Sequence, residues 1–481
     1  MIRRFLRDSV IYSLSTFISR GISFFLIPIY TRILSPADYG IIDMMSVFAS
    51  IIHLTVSLEI TQAVARFLPD MSSLEEKKLI SSTALWFTIF TNSLFYLFAF
   101  GFSSPLSLLI LGLEEGSDLF LFGSFGIICT GVSYFLSNQL RWQLQPLHNM
   151  ISSLVVTLVS VSVTLILVVG LKQGVKGVFW GQIAGALAGS TVAFAFSRKS
   201  FGFLFSRKKL KEMIAFSLPL VPSSIGVFIS LYIDRIAIRN LMTLSDVGIY
   251  GVGYRLSSVV SLLMVGVQGA LMPLVYHSYK NPNTPKDIAK IFRFFVFFAL
   301  VLLLGMTLFS KEVLVILTTP DFYSAQRVIP FLVGASLFGG MYIFAPGLGI
   351  AKKTKKIALL SLVTAILNSI LNFLFIPFYG IIGAALATLL SMGTTFLMYL
   401  WNSNKYYRVP YEWKRIVLAA AIALALLIIT VNIAKSMKNG LIIRLISMVV
   451  STALLSKSLI SRNEAKSLLK LVSFNLFRVT R

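Results

Sequence analysis

The chain has 481 residues, of which 57% are hydrophobic and 13% charged, and its formal net charge is +25 at pH 7. A soluble globular protein averages about 45–50% apolar and about 25% charged residues, so this composition excludes that class. The single cysteine excludes an intrachain disulfide and a cysteine-based metal site. The three histidines are scattered, so we expect no metal centre.

Apolar runs of about 20 residues, the length that crosses a bilayer, recur along the whole chain and predict about fourteen transmembrane helices. In chain order the predicted spans cover residues 9–30, 40–60, 80–102, 118–139, 149–170, 175–196, 214–238, 248–272, 291–310, 324–350, 357–378, 380–401, 416–434 and 441–460. The first run is too long for the apolar core of a cleaved signal peptide and lacks a small-residue cleavage site. We therefore expect a retained first span and an all-α integral membrane protein.

The positive charge is concentrated in loops that the predicted spans place on one side of the membrane. Basic clusters occupy residues 198–211, 352–356, 405–415 and the segment from 462 onward, whereas the opposite loops are short and the one at 112–118 is acidic. Because cytoplasmic loops carry the excess of lysine and arginine, this pattern predicts an even number of spans with both termini in the cytoplasm. Contact with anionic membrane lipids explains the net charge, so we expect no nucleic-acid partner.

Two pairs of segments indicate an internal duplication. Allowing a two-residue gap, we align RILSPADYGIIDM around Gly40 with MTLSDVGIYGV around Gly248. We also align GVKGVFWGQIAG, which begins at Gly174, with GIIGAALATLLS, which begins at Gly380. The offsets between the paired glycines are 208 and 206 residues, so nearly one offset relates both pairs. The repeated unit holds six spans, an even number, so both copies cross the membrane in the same direction.

The duplication predicts two pseudo-symmetric six-helix lobes, which comprise residues 1–196 and 214–402. A basic cytoplasmic linker at 197–213 joins them, an additional helix pair follows at 403–460, and a basic cytoplasmic tail occupies 461–481. Transporters built from parallel repeats bind their substrate between the halves. We therefore expect a central site and a protein that functions as a monomer.

Polar side chains recur at helical spacing on several spans, which favours a shared water-filled cavity over simple helix packing. The stripes comprise Ser9, Ser13, Thr16, Arg20 and Ser23 in the first span; Asp43, Ser46, Ser50, His53 and Ser57 in the second; Ser153, Thr157, Ser160 and Thr164 in the fifth; Tyr254, Arg255, Ser258 and Ser261 in the eighth; and Ser361, Thr364, Asn368 and Asn372 in the eleventh. Among these, Ser23, Tyr254, Asn368 and Asn372 are candidates to hydrogen-bond a polar substrate.

Arginines inside the spans are candidate functional groups, because a charge in hydrocarbon is costly and needs a reason to be there. Arg20 lies near the predicted mid-membrane plane and Arg255 well inside its span, so both are candidate cavity-lining cations. Arg235 and Arg239 lie near the outer end of the seventh span, where either cavity lining or snorkelling to the interface explains them.

The acidic residues Asp43 and Asp234 allow two interpretations: they neutralise neighbouring arginines, or they bind a coupling cation. His53, a further titratable group on the second span, is likewise a candidate for ion coupling or charge pairing. Arginines outnumber acids among these candidates, which favours an anionic substrate, since the guanidinium binds phosphate through a planar fork and is less costly to desolvate than lysine. A diphosphate headgroup linked to sugar fits this description.

Three segments in the same order resemble those of polysaccharide-exporter flippases, the Wzx-type or O-antigen members of the multidrug/oligosaccharidyl-lipid/polysaccharide exporter superfamily. They are IYTRILSPADYGIIDM near the N-terminus, IDRIAIRNLMTLSDVGIYGVGYRL at the start of the second half, and ILNSILNFLFIPFYGIIGAALATLLS at 366–391. The resemblance extends over essentially the whole chain. It implies a MATE-like V of two six-helix lobes with two extra C-terminal helices.

The resemblance further implies alternating access that flips a polyprenyl-diphosphate-linked oligosaccharide outward across the inner (cytoplasmic) membrane. It implies no cofactor, but coupling to Na⁺, H⁺ or the membrane potential. In related peptidoglycan-precursor flippases a first-span Ser-Arg pair and an eighth-span arginine line the cavity, and Ser19, Arg20 and Arg255 match them. The other first- and second-span arginines are absent, and Asp43 and His53 lie in the second span instead, which favours a surface-polysaccharide unit. Polysaccharide polymerase or co-polymerase machinery is a candidate partner.

Two other functions remain open. A multidrug or cation antiporter of the same fold would need buried carboxylates in excess of arginines, which is the reverse of this sequence. A membrane-embedded glycan polymerase or ligase would need a sizeable outer catalytic loop, and the predicted spans leave none. The sequence contains no Walker lysine motif, HExxH motif or dinucleotide-binding pattern, so we expect a transporter rather than an enzyme.

Overall fold

The computed structural model describes residues 18, 21, 22, 24, 26–436, 440–460 and 464. Regular structure throughout these residues is helical, and no β-strand occurs among them. Eleven of the described helices are long and apolar enough to cross a membrane, and a twelfth span results if Pro320–Arg327 and Ile329–Phe344, which meet at 53°, count as one. The chain is therefore an all-α, multi-pass membrane protein.

Twenty α-helices lie in the described part of the chain. The first ten are α1 (Ile27–Ile33), α2 (Pro36–Thr55), α3 (Ile60–Phe67), α4 (Leu74–Gly101), α5 (Ser103–Ile110), α6 (Ser117–Trp142), α7 (Pro146–Leu165), α8 (Gly174–Ser197), α9 (Arg207–Ser217) and α10 (Val221–Leu241). The others are α11 (Leu244–Ser258), α12 (Ser261–Ser278), α13 (Thr284–Leu308), α14 (Ser310–Leu317), α15 (Ile329–Gly340), α16 (Gly347–Ile350), α17 (Thr354–Tyr379), α18 (Ile381–Asn404), α19 (Trp413–Ser436) and α20 (Gly440–Leu459).

The observed spans differ from the predicted fourteen at two places. Residues 9–30, the first predicted span, lie mostly outside the described residues. Residues 248–272, the eighth, are divided between α11 and α12 because the helix is interrupted at Val259 and Val260. With 15 residues, α11 is shorter than the roughly 20 that a span needs. The number fourteen therefore stays a prediction.

The chain folds into two compact units. The first combines Met1–Val252 with Leu317–Phe322 and Asn372–Ala384, and the second combines Gly253–Ile316, Tyr323–Leu371 and Ala385–Arg481. The boundaries of the predicted lobes, linker, helix pair and tail stay predictions.

The N-termini of α2 and α11 carry the same capping arrangement. At α2, the Asp38 N–H donates to Ser35 Oγ (3.2 Å) and the Ser35 N–H donates to Asp38 Oδ2 (3.0 Å). At α11, the Asp246 N–H donates to Thr243 Oγ1 (3.2 Å) and the Thr243 N–H donates to Asp246 Oδ2 (3.1 Å). Each capping box satisfies N–H groups that the start of a helix leaves unpaired. Both pairs lie 208 residues apart, so the duplicated segments align here without the gap assumed from their Leu-Ser dipeptides.

Gly40 and Gly248 bring these two helix starts into backbone contact within the first unit. A Cβ atom on Gly40 would lie 2.0 Å from the Leu244 carbonyl oxygen, and one on Gly248 would lie 2.0 Å from the Pro36 carbonyl oxygen. Small residues allow such close approach of helices in a membrane. The contact is reciprocal, as expected for equivalent positions of a duplicated segment.

The second pair of aligned glycines also shares a conformation. Gly174, at the start of α8, has φ of +54°, and Gly380, just before α18, has φ of +57°. This left-handed region is open to glycine at no steric cost. The alignment at an offset of 206 residues therefore matches backbone geometry as well as sequence.

A row of glycines on α8 allows α7 to pack closely against α8. Gly177, Gly181, Gly185 and Gly189 recur every four residues along one face of α8. A Cβ on Gly181 would lie only 1.8 Å from Thr164 Oγ1 of α7. Because lipid tails are as apolar as the side chains, association of the two helices depends on this close packing rather than on the hydrophobic effect.

In the second unit, ion pairs hold the C-terminal helices α19 and α20. Arg293 of α13 is 5% exposed and pairs with Glu412, whose Oε1 lies 2.6 Å from Nη1, and with Glu464. Arg444 of α20 pairs with Glu312 of α14. A buried charge is costly unless it is paired, so these contacts attach both helices to their unit.

Candidate functional site

A cluster of charged residues is buried where α2 meets α10. Arg235 of α10 donates from Nε to Asp43 Oδ2 of α2 (2.9 Å) and from Nη1 to Asp234 Oδ1 (3.2 Å). Tyr250 of α11 donates its hydroxyl to Asp234 Oδ2 at 2.5 Å. The ring centres of Tyr250 and Tyr232 lie 5.7 and 5.8 Å from the guanidinium carbon, within cation–π range. We call Asp43, Asp234, Arg235 and Tyr250 the charge cluster.

The charge cluster is shielded from solvent. Asp43, Asp234 and Arg235 are 6%, 2% and 4% exposed. Taking these charges out of water costs free energy that their mutual pairing offsets, and removing one partner of such a pair typically costs about 3–5 kcal/mol. Arg235, for which the sequence allows either cavity lining or snorkelling, thus forms ion pairs with two carboxylates. A coupling role for either aspartate stays a prediction.

Arg239, one turn further along α10, contacts the loop after α5. Its Nη2 donates to the Leu108 carbonyl oxygen at 3.4 Å, near the C-terminus of α5. Gly112, with φ of +67°, leaves room for the guanidinium, since a Cβ there would lie 1.5 Å from Nη2. The carbonyls at a helix C-terminus carry partial negative charge and attract a cation. Arg239 therefore makes a contact within the first unit, and its predicted substrate contact stays a prediction.

Six further substrate-binding candidates come from the sequence: Arg20, Ser23, Tyr254, Arg255, Asn368 and Asn372. The two in the first span lie outside the described residues. The two on α11 are half-buried, and the two asparagines on α17 are 1% and 0% exposed. All four interact with other residues of the protein. Their roles toward substrate stay predictions.

A pocket of about 320 Å³ opens between α6, α7 and α8 in the first unit, and we call it the α6–α7 pocket. Its lining residues are Thr130, Ser133, Tyr134, Ser137, Asn138, Arg141, Asn149, Ser153, Val156, Thr157 and Ala186. Nine of these eleven carry a hydroxyl, amide or guanidinium group. Such groups need a polar partner at membrane depth, so the pocket is a candidate binding site.

Helical spacing explains why these residues share a wall. On α7, Asn149, Ser153 and Thr157 are four residues apart, and on α6 the lining positions run from Thr130 to Arg141 at intervals of three and four. Arg141 lies in the last turn of α6, at the end of the helix that the loop charges predict to be cytoplasmic. The pocket therefore has a cationic end and a neutral, hydroxyl-rich interior.

His53 of α2 lies against the face of α6 that lines the pocket, which we call the α6 wall. Its Nε2 is 3.1 Å from the Ile127 carbonyl oxygen and 3.4 Å from Thr130 Oγ1. Its ring stacks on Tyr134 with centres 6.5 Å apart and an angle of 5° between the planes. The structure thus brings a candidate of the second span into contact with two residues that line the pocket.

The predicted polar stripe of the fifth span divides into two parts. Ser153 and Thr157 line the pocket, whereas Ser160 and Thr164 face α8. A Cβ on Gly185 would lie 2.7 Å from Ser160 Cβ, so the helices touch there. One part of the stripe therefore borders open space and the other is a helix-packing contact.

No role follows from the sequence analysis for the α6 wall, although its signal is present. In TGVSYFLSNQLR, residues 130–141, polar side chains recur at the three- and four-residue spacing that marks the other stripes. The mean hydropathy of the span is 1.9, because apolar residues lie between the polar ones, and this average hides the polar face. A periodicity count on this span would find the wall.

Glu59 has no predicted role, but the structure gives it an unusual environment. It lies in the break between α2 and α3, with φ of +53°, which is uncommon for a residue other than glycine. It is 8% exposed, and its Oε1 accepts a hydrogen bond from Ser224 Oγ at 2.5 Å. This contact joins residues that are 165 positions apart in the sequence, so no local pattern reveals it.

Comparison with known proteins identifies the family. Residues 5–278, more than half of the chain, match the family described as polysaccharide biosynthesis protein. The chain belongs to this family. The predicted resemblance to the polysaccharide flippases of the exporter superfamily is thereby confirmed.

Two of the curated relatives are named for glycan biosynthesis. The probable low-salt glycan biosynthesis flippase Agl15 of Haloferax volcanii is 24% identical over 238 residues, which are 48% of this chain and 50% of that protein. The succinoglycan biosynthesis transport protein ExoT of Rhizobium meliloti is 25% identical over 270 residues, 55% of this chain and 52% of that protein. The chain thus spans about half the length of these relatives.

Solved structures share the fold. The lipid II flippase MurJ in an inward closed conformation has a TM-score of 0.71, with 16% identity over 94% of this chain and 100% of that chain. An inward-facing multidrug resistance MATE family transporter has a TM-score of 0.60, with 15% identity over 80% of this chain and 94% of that chain. At such identities the likeness shows the fold alone. These neighbours and relatives are transporters and flippases by name, in agreement with the expected class.

Proposed function

We propose that the chain is a flippase that moves a polyprenyl-diphosphate-linked oligosaccharide repeat unit from the cytoplasmic to the outer leaflet, for surface polysaccharide biosynthesis. The observation that carries the proposal is the α6–α7 pocket, where hydroxyl, amide and guanidinium groups border open space inside membrane-spanning helices. Hydrocarbon cannot solvate such groups, so they indicate a polar substrate at membrane depth. The names of the relatives agree with this class of substrate.

The proposed architecture has fourteen spans in two six-helix lobes, in a MATE-like V, and a C-terminal helix pair. The matching capping boxes of α2 and α11 and the matching glycines before α8 and α18 support the duplication. Alternating access of the lobes would open a central cavity first to the cytoplasm and then to the outside. The protein would act as a monomer in the inner membrane, with both termini cytoplasmic.

In this proposal Arg20 and Arg255 bind the diphosphate, and the polar candidates beside them hydrogen-bond the glycan. We assign Arg235 and Arg239 to structural contacts, because the first serves two carboxylates and the second the C-terminus of α5. Na⁺, H⁺ or the membrane potential drives transport, with His53 as the titratable candidate closest to the α6 wall. A polysaccharide polymerase or co-polymerase would receive the product.

A second candidate function is a multidrug antiporter that exchanges organic cations for Na⁺ or H⁺. The observation that favours it is the charge cluster, which contains two carboxylates, Asp43 and Asp234, the kind of group that binds a cation. The low exposure of the cluster and the absence of acidic residues from the pocket lining favour the flippase.

Movement across the bilayer of proteoliposomes tests the proposal. A labelled polyprenyl-diphosphate oligosaccharide is placed in one leaflet, and a membrane-impermeant glycosidase times its arrival in the other. We expect movement by the wild type and a loss of at least about tenfold in Arg20→Ala and Arg255→Ala, because each removes a charged donor to phosphate. Arg66→Ala, at an arginine 57% exposed and paired with Asp70, should keep the wild-type rate. Efflux of organic cations without lipid movement would favour the antiporter.

A further inference from the structure

The α6–α7 pocket presents hydrogen-bonding groups that are held in place. Asn149 and Asn138 are 2% and 8% exposed, and their amide nitrogens donate to the carbonyl oxygens of Ser137 (2.9 Å) and Tyr134 (3.0 Å). Among the residues that the structure describes, none donates to their amide oxygens. Each asparagine is thus fixed at its nitrogen and offers an acceptor at its oxygen.

The polar stripe of α7 borders another helix at one end and the pocket at the other. Further along α7, Ser160 and Thr164 meet the glycines of α8 directly, so no ligand fits there. At Ser153 and Thr157 the same helix borders a pocket of about 320 Å³. Thr157 donates to the Ser153 carbonyl oxygen, and a pocket lined by such polar groups can also hold water or a polar ligand. The same stripe therefore serves packing at one end and binding at the other.

The size and lining of the pocket select the class of ligand. A volume of about 320 Å³ lies at the lower end of the roughly 300–1,000 Å³ that small-molecule sites occupy, so a group the size of a sugar ring fits and a whole oligosaccharide does not. Hydroxyl and amide groups both donate and accept, as the hydroxyls of a sugar require. Tyr134, backed by His53, and Val156 offer apolar surface for the C–H face of the ring.

Arg141 adds charge at one end of the pocket. It lines the pocket from the last turn of α6, and none of the eleven lining residues is acidic. A guanidinium binds a carboxylate or a phosphate through two parallel hydrogen bonds, which are about twice as strong as neutral ones. The pocket should therefore prefer a sugar ring that carries an anion.

We infer that the α6–α7 pocket is a glycan subsite that binds one sugar ring bearing an anionic group, which Arg141 holds. The inference rests on the proposed function and adds a substrate class to it. The anion is either the carboxylate of an acidic sugar or the phosphate attached to the first sugar of the repeat unit. Both present paired oxygens to the guanidinium, so the experiment has to separate them.

Binding of soluble sugars to the purified full-length protein in detergent tests the charge preference without transport. Saturation-transfer NMR titrations compare methyl glucoside, methyl glucuronide and glucose 1-phosphate. We expect at least one anionic sugar to bind about tenfold more tightly than the neutral one. Arg141→Gln should abolish that preference and keep glucoside binding, whereas Arg198→Gln, at an exposed arginine outside the pocket, should keep the preference. The tighter of the two anionic sugars identifies the source of the anion.

Filling the pocket tests its location. Ser153→Leu should abolish binding of all three sugars, whereas Ser162→Leu, at an exposed position of the same helix, should not. Unchanged binding in Ser153→Leu, or an unchanged preference in Arg141→Gln, would overturn the inference. Thermal unfolding and gel filtration of each variant establish that it is folded before its binding is compared.

The flipping assay separates the two proposals. If the wild type moves the lipid-linked glycan and Ser153→Leu moves it equally fast, the subsite is wrong and the flippase stands. If the wild type moves no lipid but binds anionic sugars in a manner that depends on Arg141, the subsite stands and the flippase is wrong.

Discussion

Two polar regions of the first unit each contain an arginine on a membrane-spanning helix, and they differ in what surrounds it. Arg235 is 4% exposed, and its guanidinium meets Asp43 and Asp234. Arg141 is exposed and borders a pocket of about 320 Å³ whose lining contains no acidic residue. The first arginine pairs with two buried carboxylates, whereas the second interacts within the protein and also borders a pocket.

The difference teaches that a charge on a spanning helix indicates a binding site only where space accompanies it. In the charge cluster the cost of desolvation is offset by fixed partners, so the cluster ties α2 to α10. In the pocket the protein leaves room for a partner from outside. Stability should therefore depend on the first region and transport on the second.

Breaking the charge cluster should give the largest loss of stability. Arg235→Met leaves two buried carboxylates without their cation and should lower the free energy of unfolding by about 3–5 kcal/mol. Denaturant unfolding of the purified protein in detergent measures this. The control, Arg66→Ala, breaks an exposed pair with Asp70 and should cost less than about 1 kcal/mol. If Arg235→Met lowered the free energy of unfolding as little as Arg66→Ala does, Arg235 would again be a candidate for substrate contact.

The same substitution should act differently in the two halves of the α7 stripe. Ser160→Leu adds bulk where Gly185 already touches the helix, and overpacking of this kind costs about 1–3 kcal/mol. Ser153→Leu extends into the pocket, so its unfolding free energy should stay within about 0.5 kcal/mol of wild type. Unfolding of both variants under one set of conditions gives the comparison. Similar losses would contradict the division of the stripe.

Sequence periodicity predicts which residues share a helix face, and the structure decides what that face meets. The stripes of the second and fifth spans follow from spacing alone. In the structure His53 contacts Thr130 of α6, and Ser153 lines the pocket. Spacing cannot tell Ser153 from Ser160, since the difference depends on Gly185 of another helix. The pairing of Arg235 with Asp43, 192 residues away, is equally invisible to a local pattern.

The fold follows from the sequence more readily than its interruptions do. Long apolar runs are sufficient to predict an all-α membrane protein. The break at Val259 and Val260 has no proline or glycine beside it in SSVVS, so no local signal marks it. The duplicated capping boxes can be predicted from the sequence, because Ser35 and Thr243 each precede an aspartate by three residues, which is the spacing of the motif.

Replacing Arg141 should affect stability least and the choice of substrate most. Arg141→Gln should change the free energy of unfolding by less than about 0.5 kcal/mol, because the side chain is exposed. In proteoliposomes it should slow lipids that carry an acidic repeat unit, and Arg141→Lys should be intermediate, since lysine keeps the charge but lacks the planar fork. Neutral repeat units on the same lipid are the internal control. If Arg141→Gln slowed acidic and neutral units equally, Arg141 would act on the diphosphate that both lipids share, and the pocket would hold the first sugar of the unit rather than an acidic sugar further along it.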